Sequence, residues 1–442
     1  MTFDAPSAPL DTRSAETLAE RGLRLGLVDT SDASAFDTWL ESDSRGFHGG
    51  VPSPESLAAQ RAGLAYRRTT GVWDETAAES HAPVSTVSSW VSDLTVPGGS
   101  VDGWAISAVT VAPTHRRKGI ARAMLESELR TASAAGIPLA MLTVSEATIY
   151  GRYGFAPAAM SAKWSVDPRR GSWTGPEATG RIHFLSREAA RDQLGEIIAR
   201  AREENPVPGD IERWEYLTTR TLGFDEPSGD RAKKARIVRY DDAEGTAQGF
   251  AVFSLAETDE NNFLHTVTVH DLVTVTDDAY AGLWRFLLEM DLVQEVTADL
   301  RAVDEPLAWL LSDFRATRLA DQRDFLWLRI LDVVATLEAR RYSAPGRLVL
   351  DTADPLGFAD ALVLLEVAAD GTATVTPLDG EAPDDAAAVS LTVGELGSIY
   401  LGGVTARSLA RAGRIEELRP GSVDRLDAMF RWSDAPRLSV WF

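Results

Sequence analysis

The residues with the clearest chemical potential are Arg116-Arg117-Lys118-Gly119, which follow Val109-Thr110-Val111-Ala112-Pro113-Thr114-His115 and lead into Ile120-Ala121-Arg122. The β-branched start of this stretch reads as the end of a strand, Pro113 marks a turn, and a helix begins at about Gly119. A helix N-terminus carries unpaired N–H groups and the positive end of the helix dipole, so it attracts anions, and glycine lets the backbone approach a phosphate closely. A pyrophosphate is the natural occupant. Adjacent basic residues by themselves also fit a solvated turn that merely caps a helix. Other chemistries are poorly provided for. The six histidines are scattered, only His265 and His270 lie close in sequence, and no metal centre is expected. With no cysteine there can be no disulfide, thiolate ligand or cysteine nucleophile. The chain ends in Leu438-Ser439-Val440-Trp441-Phe442, an apolar terminus where a frayed end is normally polar, so this end is expected to be tied down.

The elements that must position the basic turn follow from apolar spacing. Residues 1–20 are polar and expected to be flexible. Strands are expected at 23–28, 84–94, 104–111 and 139–144, a helix at 33–40, a mobile loop at 42–54 and a turn at 96–99. Between 119 and 135, Ala121, Met124, Leu125, Leu129 and Ala132 recur at helical spacing, and Gly136 with Pro138 stops the pattern. Strand, helix, strand in this order implies a mixed α/β sheet.

A break at 166–180 is followed by a second α/β pattern, with strands at 249–255, 263–276 and 295–298 and a helix at 280–289. Its order echoes the first, as in a diverged duplication. It lacks the glycine-bearing turn and is not expected to bind the same cofactor. A third region starts near Trp327. It predicts a strand at 326–330, a short helix at 332–340, an antiparallel sheet from 347–351, 361–367 and 372–377, and helices at 393–401 and 407–412.

Composition sets the outer limits. The 442 residues, at roughly 150 per domain, allow two or three domains with substantial cores. Hydrophobic residues make up 44% and charged residues 25%, which excludes a disordered chain. Against 44 Lys+Arg stand 66 Asp+Glu, a net charge of −22, which argues against nucleic-acid binding and favours cationic ligands. No stretch of about 18 residues is free of charge, so no membrane span is expected. The start at Met1-Thr2-Phe3-Asp4 does not read as a signal peptide, and a cytoplasmic protein is expected.

Arg116-x-x-Gly119-x-Ala121 resembles the acetyl-CoA pyrophosphate loop of the GCN5-related N-acetyltransferases (GNAT), and Ile149-Tyr150-Gly151-Arg152-Tyr153-Gly154-Phe155 resembles their segment near the departing thiolate. Tyr153, one place before Gly-Phe, suits packing better than Tyr150 does. With Ser145-Glu146, Leu326–Ile330, Leu337-Glu338-Ala339-Arg340, Leu396-Gly397-Ser398-Ile399-Tyr400-Leu401-Gly402 and the terminal Phe, the chain is similar over nearly its whole length to the Eis (enhanced intracellular survival) family. The resemblance implies tandem GNAT-type domains, active at 21–165 and degenerate at 166–322, followed by a sterol-carrier-protein-like domain at 323–442. It implies homo-oligomers, as hexamers, and cationic amines such as aminoglycosides as acceptors. By the same resemblance Val109, Thr110 and Val111 line the pantetheine arm, and Arg116, Arg117, Lys118, Gly119, Ile120, Ala121 and Arg122 hold the pyrophosphate. Ser145 and Glu146 line the cofactor cleft, Tyr150 is the general acid, and the terminal carboxylate of Phe442 is the general base. Ala108, where the family carries a large aromatic, and Trp441 depart from the pattern at the acceptor side; Phe47 and His48 are candidates for pocket lining. A protein or peptide lysine acetyltransferase and a lipid-binding carrier are the competing functions.

Overall fold

The structure, a computed structural model, describes residues 3–258, 261–380 and 383–442. It forms two compact units, one of Met1–Ala159, Asp324–Pro436 and Trp441–Phe442, the other of Met160–Arg323 and Arg437–Val440. In chain order the first unit begins with α1 (Thr12–Ala19), β1 (Arg24–Leu27), α2 (Ala33–Gly46), α3 (Pro54–Leu64), β2 (Arg68–Trp73), β3 (Ser85–Val96), β4 (Gly99–Val111), α4 (Ile120–Ala134), β5 (Leu139–Thr143) and α5 (Ala147–Tyr150), and enters β6 (Ala156–Val166). β1 to β4 pair antiparallel in sequence order and β5 joins β4 in parallel. The parallel step requires a crossover, and α4 supplies it, burying Met124, Leu125 and Leu129 against Trp104, Ile106 and Leu142.

Two expectations about this region are corrected. Residues 1–20 are not all loose: Asp11 caps α1 through Ser14 N (2.8 Å), and a fork from Arg130 Nε (3.0 Å) and Nη2 (2.9 Å) on α4 grips the Asp11 carboxylate. The polar residues read as a solvated tail are therefore capping and ion-pairing groups. The loop placed at 42–54 is shorter. α2 continues to Gly46 and α3 starts at Pro54, a favoured first helical residue.

The second unit continues with β7 (Arg181–Leu185), α6 (Arg187–Glu204), α7 (Glu215–Thr221), α8 (Asp230–Lys234), β8 (Arg236–Asp241), β9 (Ala247–Thr258), β10 (Asn261–Thr274), α9 (Asp277–Leu288), β11 (Val293–Arg301) and the start of β12 (Thr317–Ile330). β7 to β10 pair antiparallel in order, β10 runs parallel to β11, and β11 runs antiparallel to β6. The strand, helix, strand succession of the first unit recurs here. α6, a long polar helix, was not foreseen because its apolar positions are few.

The last part of β12 belongs to the first unit, followed by α10 (Val333–Glu338), β13 (Gly346–Ala353), β14 (Ala361–Val367), β15 (Ala373–Pro377), β16 (Ala387–Thr392), α11 (Val393–Ile399), α12 (Ala406–Arg411), β17 (Ile415–Glu417) and α13 (Ser422–Phe430). The strand expected to open the third region lies instead on the first sheet, with Leu326–Ile330 antiparallel to β5. The five-stranded sheet is mixed rather than antiparallel, because β16 joins β13 in parallel. Leu348, Leu350, Leu365, Leu396, Leu426 and Met429 form its core.

A fully buried ion pair ties these parts of the first unit together. Arg329 on β12 donates through Nε to Tyr153 O (2.6 Å) and through Nη2 to Asp354 Oδ2 (2.6 Å) after β13, with both side chains 0% exposed. Burial pushes the Asp354 pKa up. The Arg329 charge and backbone donors from Leu356 and Ala359 outweigh burial and hold the carboxyl below its usual range. The Asp354→Ala change leaves a buried guanidinium uncompensated and is expected to cost about 3–5 kcal/mol at neutral pH by denaturant titration. The pair stabilises above the unfolded carboxylate pKa of about 3.9 and is lost as pH falls through the lower folded value, so the penalty should shrink in acid.

Candidate active site

The site begins where two strands part. β4 and β5 pair in parallel only from Gly103↔Leu139 to Ile106↔Leu142. Two residues later Ala108 adopts φ +54°, and the β3/β4 register shifts between Thr86 and Ser88, which bends β4 away. Side chains of β3 hold the bend. Thr86 Oγ1 donates to Ala108 O (2.8 Å) and lies 2.6 Å from Thr110 Oγ1, while Ser85 Oγ donates to Thr110 O. The carbonyls of Ala108 and Thr110 thus face β3. Strand alternation turns the backbone groups of Val109 and Val111 to the opposite edge, which β5 has left open. Thr110 is buried, and a Cβ on Gly46 would collide with its side chain, so the end of α2 closes over the bend.

Beyond β4 lies the basic turn. Arg116, Arg117 and Lys118 are exposed, Arg117 and Gly119 have φ +63° and +74°, and α4 starts at Ile120. Neighbouring His115 is buried, with Nε2 3.0 Å from Asp74 Oδ2 and Nδ1 2.8 Å from Thr114 Oγ1, which pins the turn's base. Ile120 is buried in the core and Ala121 half-buried. Arg122 is turned to its own helix, its Nε on Glu126 Oε1 at 2.7 Å. The turn therefore presents three exposed cations, none with an ion-pair partner among the described residues, and a helix N-terminus together, groups that suit a diphosphate.

After β5 the chain passes exposed Ser145 and Glu146 into α5, at whose end Tyr150 is buried edge-on to Phe155, ring centres 6.2 Å apart. Burial, with the nearby Glu146 and Tyr153 charges, pushes the Tyr150 phenol up to about 12, so it stays protonated at any ordinary pH. Tyr153 is also buried, and its carbonyl is held by Arg329.

Phe442 is 7% exposed. The hydroxyl of Thr143, the last residue of β5, donates to a terminal oxygen of Phe442. The Phe442 ring meets Trp90 of β3 edge-on at 5.3 Å, and the Arg67 guanidinium stacks on the other partner, the Trp90 ring, at 3.7 Å. Trp441 packs on Phe325 at 5.0 Å and is 46% exposed. The expectation that the apolar terminus is tied down holds.

Sequence reading missed Thr143, Trp90, Arg67 and Asp43. Asp43 had a signal: with Phe36, Trp39 and Leu40 it completes the i, i+3, i+4, i+7 stripe of α2. Burial pushes the Asp43 carboxyl up to about 7, against the opposing effects of Thr86 Oγ1, 3.4 Å away, and the Arg67 charge. Phe47 and His48 lie exposed just past α2, His48 at φ +60°. Ala108 instead packs beside the Phe36, Trp39 and Leu57 cluster.

The second unit repeats the parting and fills it. β10 and β11 pair up to Val269↔Ala298, and the β9/β10 register shifts between Val269 and Asp271. There Arg301 Nη1 donates to Leu272 O (2.9 Å) and its Nε to Glu305 Oε1 (2.7 Å), with both side chains buried. Of the sequence pair His265 and His270, the latter lies 2.8 Å from Ser254 Oγ.

Comparison with known proteins agrees with this geometry. Residues 28–158 and 209–330 match family models of acetyltransferase (GNAT) domains, and residues 333–439 match a sterol carrier protein domain. An N-acetyltransferase of Streptomyces griseus is 35% identical over 422 residues, 92% of this chain and 98% of that one. N-acetyltransferase Eis of Mycobacterium tuberculosis is 35% identical over 354 residues, 78% of this chain and 81% of that one. The crystal structure of Eis1 from Mycobacterium abscessus superposes with a TM-score of 0.78 at 29% identity, covering 95% of this chain and 100% of that one. With two GNAT domains, a sterol-carrier-like C-terminal domain and these relatives, the chain belongs to the Eis family of GCN5-related N-acetyltransferases.

Proposed function

We propose that the protein transfers acetyl from acetyl-CoA to a primary amine of a cationic small molecule of the aminoglycoside class, with Tyr150 as proton donor and the Phe442 carboxylate as base. The observation that carries this reading is the seating of the chain's own terminus on Thr143, at the end of the strand whose departure from β4 opens the site. The residues present fit the cofactor. Val109 and Val111 turn free backbone groups toward an amide-bearing arm, and Arg116, Arg117, Lys118 and the α4 N-terminus suit a diphosphate. Acetyl-CoA supplies the activated thioester; the protein supplies position and proton transfer. An α-carboxyl of ordinary pKa about 3.5 is ionised at neutral pH and accepts a proton from an ammonium acceptor, directly or through water, leaving the neutral amine to attack. Tyr150, held protonated, donates to sulfur as the carbon–sulfur bond breaks. Asp43, a carboxyl raised by burial, gains a countercharge when a polycation enters, and the net charge of −22 draws such acceptors in.

A coenzyme A release assay against aminoglycosides, short polyamines and a lysine peptide tests the acceptor class; turnover confined to the peptide would instead identify a protein acetyltransferase. Tyr150→Phe should lower kcat about a hundredfold while leaving acetyl-CoA affinity, measured by calorimetry, within twofold. Extending the chain beyond Phe442 by a short tag should depress kcat comparably, and full activity in the tagged protein would remove the terminal carboxylate from the mechanism. Asp43→Asn should raise KM for a polycationic acceptor about fivefold. In the parent, kcat/KM should gain from Asp43 ionisation as pH rises through about 7, and that component should be missing in the variant.

A further inference from the structure

The segment that leads into β1 ends against the basic turn. α1 is held along α4 by Ser14 Oγ, which donates to Ala123 O (2.7 Å) in the first turn, and by the Asp11–Arg130 fork further along the helix. It stops at Gly22, φ +71°, with Gly22 N bonded to Ala19 O (3.0 Å) and Leu23 N to Leu18 O (3.0 Å). This ending sets the direction of the residue before it. Arg21 is exposed, and its Nη1 donates to the carbonyl of Lys118. The same Nη1 lies where a Cβ on Gly119 would stand, so the tip of the guanidinium reaches onto the turn, and glycine is what admits it there. Among the described residues no carboxylate pairs with Arg21, and one bond to a carbonyl leaves most of its donors unused.

We propose that Arg21 is part of the diphosphate site, a fourth cation beside Arg116, Arg117 and Lys118, delivered by the N-terminal helix rather than by the turn itself. A guanidinium anchored through one N–H on the loop backbone keeps its other donors for two neighbouring phosphate oxygens, which a lysine in the turn cannot match. The N-terminal helix is thereby a part of cofactor binding. This inference rests on acetyl-CoA being the donor.

The test is calorimetric titration of the full-length protein with coenzyme A and with 3′-dephospho-coenzyme A, which keeps the diphosphate. Arg21→Ala and Arg21→Gln should each weaken both ligands about tenfold, and Arg21→Lys, which keeps the charge but not the fork, should recover only part of the loss. The glutamine keeps a donor for the Lys118 carbonyl without the charge, so parent-like affinity in Arg21→Gln would mean that Arg21 only braces the loop and would overturn the proposal. A loss seen with coenzyme A alone would overturn it as well, moving Arg21 to the 3′-phosphate. If the parent protein bound neither ligand, the donor reading itself would fail, an outcome distinct from parent binding that the substitutions leave unchanged.

Discussion

The parting of β4 from β5 is the constraint on which the rest of the site depends. Four residue pairs of parallel sheet bring the strands side by side, and then a left-handed alanine and a one-residue shift in register send them apart. A non-glycine residue at positive φ costs about 1–2 kcal/mol and persists only where its surroundings leave no alternative. Here Thr86 and Ser85 supply that restraint by bonding the carbonyls on either side of Val109. The consequence is a stretch of β4 beyond Ile106 that has no strand partner on the β5 side among the described residues.

The molecule fills this opening in two different ways. In the second unit the equivalent parting is closed by Arg301, whose buried guanidinium bonds the Leu272 carbonyl and is neutralised by Glu305. In the first unit no arginine enters from the following strand. Thr143 ends that strand and holds the chain terminus instead. In one case a buried arginine–glutamate pair fills the parting and in the other the chain terminus is seated beside it, a difference that lies in a few side chains at the end of one strand.

Buried charge in the first unit is used to join pieces distant in sequence. Arg329 receives Tyr153 and Asp354 at once, so the turn after Tyr150 and the start of the five-stranded sheet's long loop share one guanidinium. Gly154, at φ +82°, has no room for a side chain because Arg329 and Val393 lie against it. The loop that carries Tyr150 therefore owes its shape to residues contributed from the C-terminal part of the chain.

Local signals were legible in the sequence because they act between neighbours. The strand before Val111, the turn at Arg116–Gly119 and the apolar stripe of α4 each depend on spacing, dihedral preference and helix ends, and each could be read before any tertiary contact was known. The apolar terminus likewise announced that it was anchored. What it was anchored to was not readable. Thr143 and Phe442 stand 299 residues apart, and nothing near either one names the other. The same holds for Leu326–Ile330, whose apolar run reads as a buried strand without saying that β5 is its partner, and for β16, whose parallel place beside β13 depends on strand order. Asp43 had the spacing of a core residue and the chemistry of a surface one, and only the closure of α2 over the bent strand decided between them. Strand order and helix docking are long-range choices made by total burial, and they determined which of the local features became a site.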